Sequence, residues 1–230
     1  MKTSRIIVIT ALIGALVFAS SGRSHADPRK HDIGSGGQPT ISGSLGGSVF
    51  GSPNVLNDLV VTVNFGEVTP INPNSIVKVV VPIAIRSTEQ YQVTVSAAAS
   101  FGASPNSIKA SDIGFGIQNF RSLGARATAC SANSIINPVF NNDPASSVTI
   151  NPATGRAQYP STLATIGASA LLINGPVLSV FRNIGEWKRD IDNGRVFDAV
   201  FAIKPQFFEP GPFSVTLTFN ISTGPNFPCN

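Results

Sequence analysis

The stretch from Phe213 to Ser222 limits most tightly what this chain can fold into. Phe213, Val215, Leu217, Phe219 and Ile221 alternate without interruption with Ser214, Thr216, Thr218, Asn220 and Ser222. A period of two puts the apolar side chains on one face of an extended strand and the polar ones on the other. The expectation is a strand with one face on a core and one in water. Similar patterns recur upstream. Leu59, Val61, Val63 and Phe65 alternate with Val60, Thr62 and Asn64, and Tyr91, Val93, Val95 and Ala97 with Gln92, Thr94 and Ser96. Ile113, Phe115 and Ile117 share a face, as do Phe197, Ala199, Phe201 and Ile203. Residues 76–85 are almost wholly apolar, which suits a strand lying centrally in a sheet.

Between these runs lie turn signals. Residues 66–74 are rich in Pro and Asn, Asn193-Gly194 is a hairpin dipeptide, and Glu209-Pro210-Gly211-Pro212 breaks the chain before the last strand. Composition points the same way. Charged residues are 12% of 230, about half the usual share, while Gly (21) and Pro (17) are abundant. Hydrophobic residues at 42% are ample for a core. Val148 and Ile150 suggest a short strand, Leu163 to Ile173 leans towards strand, Val177 to Ile184 reads as strand, and residues 121–145 read as loop. The fold expected is all-β: one immunoglobulin-like or pilin-like β-sandwich of eight or nine strands over residues 53–230, following a signal peptide.

The signal peptide is read over residues 1–26. Lys2 and Arg5 precede the apolar run Ile6 to Ala19, and Ser24-His25-Ala26 supplies a small-x-Ala cleavage site. Fourteen apolar residues are too few to span roughly 30 Å of hydrocarbon. Export is therefore expected, to the periplasm, cell surface or medium, with the membrane met only in transit. Loss of Lys2, Arg5 and Arg23 leaves 13 basic against 12 acidic residues. No basic stripe remains to neutralise phosphates, which argues against nucleic acid as a partner. An outer-membrane barrel would need girdles of Trp and Tyr; one Trp and two Tyr are too few.

Residues 27–52 are rich in Gly and Ser and read as a flexible leader. Within it Ile41, Leu45 and Val49 lie four apart and would share a face of an extended chain. The segment is then either an ordinary first strand on its own sheet or a strand donated to a neighbouring subunit.

Candidate chemistry is sparse. Cys130 and Cys229 would form one disulfide in an exported chain. His25 would leave with the signal and His31 lies in the leader, so no Ser/His/Asp or Cys/His site is expected, nor a Cys/His metal site. Glu186, Asp190, Asp192 and Asp198 cluster in sequence, but read better as a solvated hairpin tip than as paired catalytic carboxylates or a calcium loop. Trp187, the sole Trp, either caps the core or stacks on a sugar. No cofactor is expected.

The order of these pieces resembles the bacterial fimbrial and spore-coat-protein-U-like secreted sandwiches. The residues carrying the likeness are Val63-Asn64-Phe65-Gly66, then a turn and a long Val/Ile strand, then Tyr91-Gln92-Val93-Thr94-Val95. At the far end Phe197 to Ile203 is followed by Pro210-Gly211-Pro212-Phe213-Ser214-Val215-Thr216-Leu217-Thr218-Phe219. The resemblance implies a secreted, structural, non-enzymatic protein: a subunit of a fimbria-like or coat-like assembly, whose partners are copies of itself or other subunits. The alternative is a monomeric periplasmic or cell-surface carbohydrate-binding sandwich.

Overall fold

Every long alternating segment becomes a strand, and the strands assemble into two facing antiparallel sheets. The computed structural model describes residues 30–42, 48–51, 57–67, 76–99, 104, 106–123, 133–178, 194–204, 208 and 212–227. In chain order the strands are β1 (His31–Ser35), β2 (Thr40–Ser42), β3 (Ser48–Gly51), β4 (Asp58–Glu67), β5 (Val77–Ser87) and β6 (Tyr91–Ala99). They continue with β7 (Gly114–Leu123), β8 (Ile135–Ile136), β9 (Thr149–Ile150), β10 (Ala157–Gln158), β11 (Ala170–Gly175), β12 (Gly194–Ile203) and β13 (Pro212–Thr223). A 3-10 turn spans Ala110–Asp112 and one short helix, α1, spans Leu163–Ile166.

One sheet runs β1-β5-β12-β7, with β2 also on the free flank of β5. The other runs β3-β4-β13-β6-β11-β8, and β9 and β10 form a separate small hairpin. The inward faces make a single core. Phe65, Val79, Val93, Val95, Phe115, Phe201, Ile203, Val215, Leu217 and Phe219 are all buried in it. Aromatic rings join the sheets: Phe197 lies 6.4 Å from Phe219 between centroids, and Phe115 lies 5.3 Å from Phe201 within its own sheet. The period-two reading of β13 holds residue by residue, since Phe213, Val215, Leu217, Phe219 and Ile221 are buried and the residues between them are not.

Three features differ from the sequence expectation. First, thirteen strands occur among the described residues, against the eight or nine expected. The additional ones are short and sit at sheet edges or outside the sandwich, where a strand needs only main-chain bonds and little alternation. Second, the segment read as a flexible leader supplies three of them. β1 pairs with β5 over His31↔Ser87 to Ser35↔Ile83, β2 pairs with β5, and β3 pairs with β4. Ile33 is wholly buried and His31 and Asp32 nearly so, so buried side chains and a ladder of main-chain bonds hold what its Gly and Ser content suggested was loose. Third, Leu163 to Ile173 divides into α1 and β11. Gly167, at φ 59°, ends the helix in a conformation that glycine adopts freely. In the region read as loop, β7 continues to Leu123 and β8 forms. Of the strand expected at 177–184, residues 177–178 lie outside any strand and the rest lie outside the described residues.

Strand β12 is buried on both faces. Phe197, Ala199, Phe201 and Ile203 point into the core. Cover on the outer face comes partly from residues 140–144 and Tyr159, which lie against Gly114 and Gly116 of β7. A Cβ at Gly114 would stand 2.5 Å from the Tyr159 ring and 2.6 Å from Pro144, and one at Gly116 would run into the Asn142 carbonyl. Glycine in this strand therefore marks a close backbone approach. Lys78 of β5 clamps the cover through Asp143 (Nζ–Oδ2, 2.6 Å), and the Phe140 carbonyl accepts the Ile117 amide of β7 (2.7 Å).

Candidate functional site

A concavity lies beside the covering segment, with Tyr159 in its wall. It is a groove of about 650 Å³ between the 3-10 turn before β7 and the β9–β10 hairpin. The hairpin is shaped by Asn151, whose carbonyl accepts the Gly155 amide (2.8 Å) and whose side-chain oxygen accepts the Ala153 amide (2.9 Å). Gly155 at φ 66° completes the reversal. Arg156 follows directly and is thereby brought over Asp112. The Asp112 carboxylate is almost fully buried; Oδ2 accepts the Lys109 amide (2.9 Å), and Oδ1 stands 3.9 Å from Arg156 Nη1. Tyr159 forms one wall. Its ring rests on Gly114, its hydroxyl accepts the Lys204 amide (2.8 Å), and burial raises the phenol to about 12. It is a fixed, neutral aromatic surface. The remaining lining is chiefly hydroxyl and amide, including Ser111, Thr149, Thr154 and Thr162. Asp112 is the sole carboxylate among the described residues lining the groove, so the pair needed for glycoside hydrolysis is not assembled there.

A second polar cluster centres on His31, which is buried rather than in a mobile leader. Pairing of β1 with β5 sets His31 opposite Ser87. Its Nδ1 lies 2.8 Å from Ser87 Oγ and its Nε2 3.1 Å from Thr223 Oγ1 of β13. Ser87 donates to the Glu89 carbonyl (2.5 Å), so its oxygen accepts from His31 Nδ1–H, while the Thr223 hydroxyl is shared between His31 Nε2 and Glu89 Oε2 (3.5 Å). Burial lowers the His31 pKa; Glu89 opposes the shift and Lys30 adds to it. Although Ser and His are in contact, Ser87 is wholly buried and its proton is engaged, so no substrate carbonyl can reach it. The cluster ties β1 to both sheets.

Residues singled out in the sequence are dispersed. Ile41 lies on β2 opposite Val79, partly buried against the core. Val49 lies on β3 opposite Val63 of the other sheet, and Leu45 lies outside the described residues. Ile41 and Val49 thus serve two different sheets and not one stripe. Cys130, Cys229, Trp187, Glu186, Asp190 and Asp192 also lie outside the described residues. Asp198 sits on β12 at a bulge, accepting from Asn119 Nδ2 (2.7 Å) and Arg121 Nη1 (3.3 Å). Asn119 has φ 51°, the left-handed conformation that Asn tolerates better than most residues. The groove residues were missed because Asp112 and Arg156 are distant in sequence. Only the turn signal Asn151-Pro152-Ala153-Thr154-Gly155 announces any part of the site. No helix among the described residues is long and apolar enough to cross a membrane. Comparison with protein-family models, curated proteins and solved structures finds no match to this chain.

Proposed function

We propose that this protein is an exported, non-enzymatic structural sandwich that serves as a subunit of a fimbria-like or coat-like surface assembly. The observation that carries this reading is the strap formed by β1, β2 and β3. β1 and β2 lie on the outer flank of β5, and β3 lies on the outer flank of β4. One short segment therefore closes an edge of each sheet. Edge strands of this kind are held mainly by main-chain bonds, and an identical strand from a second copy makes the same bonds. A chain whose edges are sealed by such a segment can close on itself or on its neighbour. The apolar residues Ile33 and Ile41 set the register in either case. The apolar run at residues 6–19 and the Ser24-His25-Ala26 triplet support export.

The test is deletion of residues 27–52. It should abolish assembly of the exported protein, seen by size exclusion and negative-stain microscopy, and leave a soluble monomer. A peptide spanning Gln38 to Phe50 should stabilise that monomer. An intact protein that stays monomeric when concentrated, with residues 38–50 resistant to proteolysis, would remove the assembly reading.

A further inference from the structure

We propose that the groove at Asp112, Arg156 and Tyr159 is a binding site for a neutral carbohydrate. Arg156 Nη1 and Asp112 Oδ1 are 3.9 Å apart, close enough to attract but too far for a hydrogen bond. Asp112 is almost fully buried beneath the guanidinium, so a group in the groove accepts from Arg156 and meets Asp112 chiefly through its charge. A neutral hydroxyl accepts from the guanidinium and is not repelled by the carboxylate. A phosphate or sulfate would meet Arg156 favourably but face the Asp112 carboxylate, and an ammonium would meet the opposite conflict. Asp112 and Arg156 are the only charged side chains among the described residues lining the groove. The hydroxyls of Ser111, Thr149, Thr154 and Thr162 continue the same character, since each can donate and accept.

The site is also rigid. The Lys109 amide holds Asp112, the Ala153 amide holds the Asn151 side chain, and Tyr159 is fixed by Gly114 beneath its ring and Lys204 at its hydroxyl. A preorganised wall loses little entropy when a ligand arrives. The Tyr159 ring adds an apolar wall of the kind on which the C–H face of a pyranose rests. A volume of about 650 Å³ lies within the range of small-molecule sites. None of these residues belongs to the strap, so the site is independent of assembly.

The test is titration of the purified protein with maltotetraose, cellotetraose, mannotetraose and chitotetraose, followed by calorimetry and saturation-transfer NMR. Inorganic phosphate and a sulfated tetrasaccharide serve as charged controls. At least one neutral oligosaccharide should bind, and Arg156→Gln should weaken it roughly tenfold or more, as loss of a hydrogen bond to a charged group does. Thr62→Ala, on the other sheet, should bind as the parent does. Arg156 is half exposed, so Arg156→Gln should fold as the parent does. Failure of all four neutral sugars to bind at about 10 mM, far above the affinity of a built site, would overturn the proposal. So would unchanged binding by Arg156→Gln, or binding of the charged controls alone.

Discussion

At the scale of single residues, two positions test how closely the structure is packed. Gly116 faces the Asn142 carbonyl with no room for a methyl group. Gly116→Ala should therefore destabilise the fold by about 1–3 kcal/mol through overpacking, although alanine is ordinarily the better strand residue. Gly155 has open space around it and φ 66°. Gly155→Asn should change stability by less than about 1 kcal/mol, because Asn tolerates the left-handed region. Urea unfolding of both variants checks the pair, and a neutral Gly116→Ala would mean residues 140–144 do not cover β7. His31 offers a pH test. Burial holds its folded pKa below 6.5, so the unfolded chain takes up the proton first. Its contribution is full above pH 6.5 and is lost as pH falls through the folded pKa. Hydrogen-exchange protection of residues 31–35 should fall between about pH 7 and pH 5, by no more than about tenfold per pH unit for one proton. In His31→Gln this loss should vanish. Exposed Glu89, with its pKa lowered below 4.5 chiefly by its hydrogen bond to Lys30, acts only at lower pH.

At the scale of elements, legibility follows from how much each strand depends on its own side chains. Strand β13 buries five apolar residues on one face, so its pattern is a direct consequence of its position. Phe219→Ala should cost about 3–5 kcal/mol, whereas Thr218→Ala, on the outer face, should cost less than about 1 kcal/mol. Similar losses at both positions would contradict the one-sided strand. The strands β1 to β3 were less readable because main-chain pairing at an edge leaves little mark on composition. The glycines of β7 were readable only as alternating gaps. Their cause, a segment lying flat on the sheet, sits some 25 residues away in sequence. The groove was illegible for a related reason. Its Arg comes from a hairpin turn and its Asp from a 3-10 turn, and neither has a period to detect.

At the scale of the whole molecule, a disulfide between Cys130 and Cys229 is a proposal, since both cysteines lie outside the described residues. Ser134 accepts a hydrogen bond from the Tyr91 hydroxyl (2.9 Å). At the other terminus of the loop, the Gly224 amide donates to the Gln90 carbonyl (2.9 Å), and Gln90 Nε2 donates to Asn226 Oδ1 (3.0 Å). Residues four before Ser134 and three beyond Asn226 are the two cysteines. The described chain nearest each cysteine in sequence is held around the start of β6. A bridge closing a loop of about a hundred residues stabilises by up to about 4–5 kcal/mol on the chain-entropy model. Reduction should accordingly lower the unfolding midpoint, and Cys130→Ser with Cys229→Ser should reproduce that shift without reductant. Protein recovered from the periplasm or medium should begin at Asp27, weigh two hydrogens less than its reduced form and show no alkylatable thiol until reduced. Two reactive thiols in the exported protein, or a mass that includes residues 1–26, would contradict the oxidising compartment on which both the bridge and the assembly role depend.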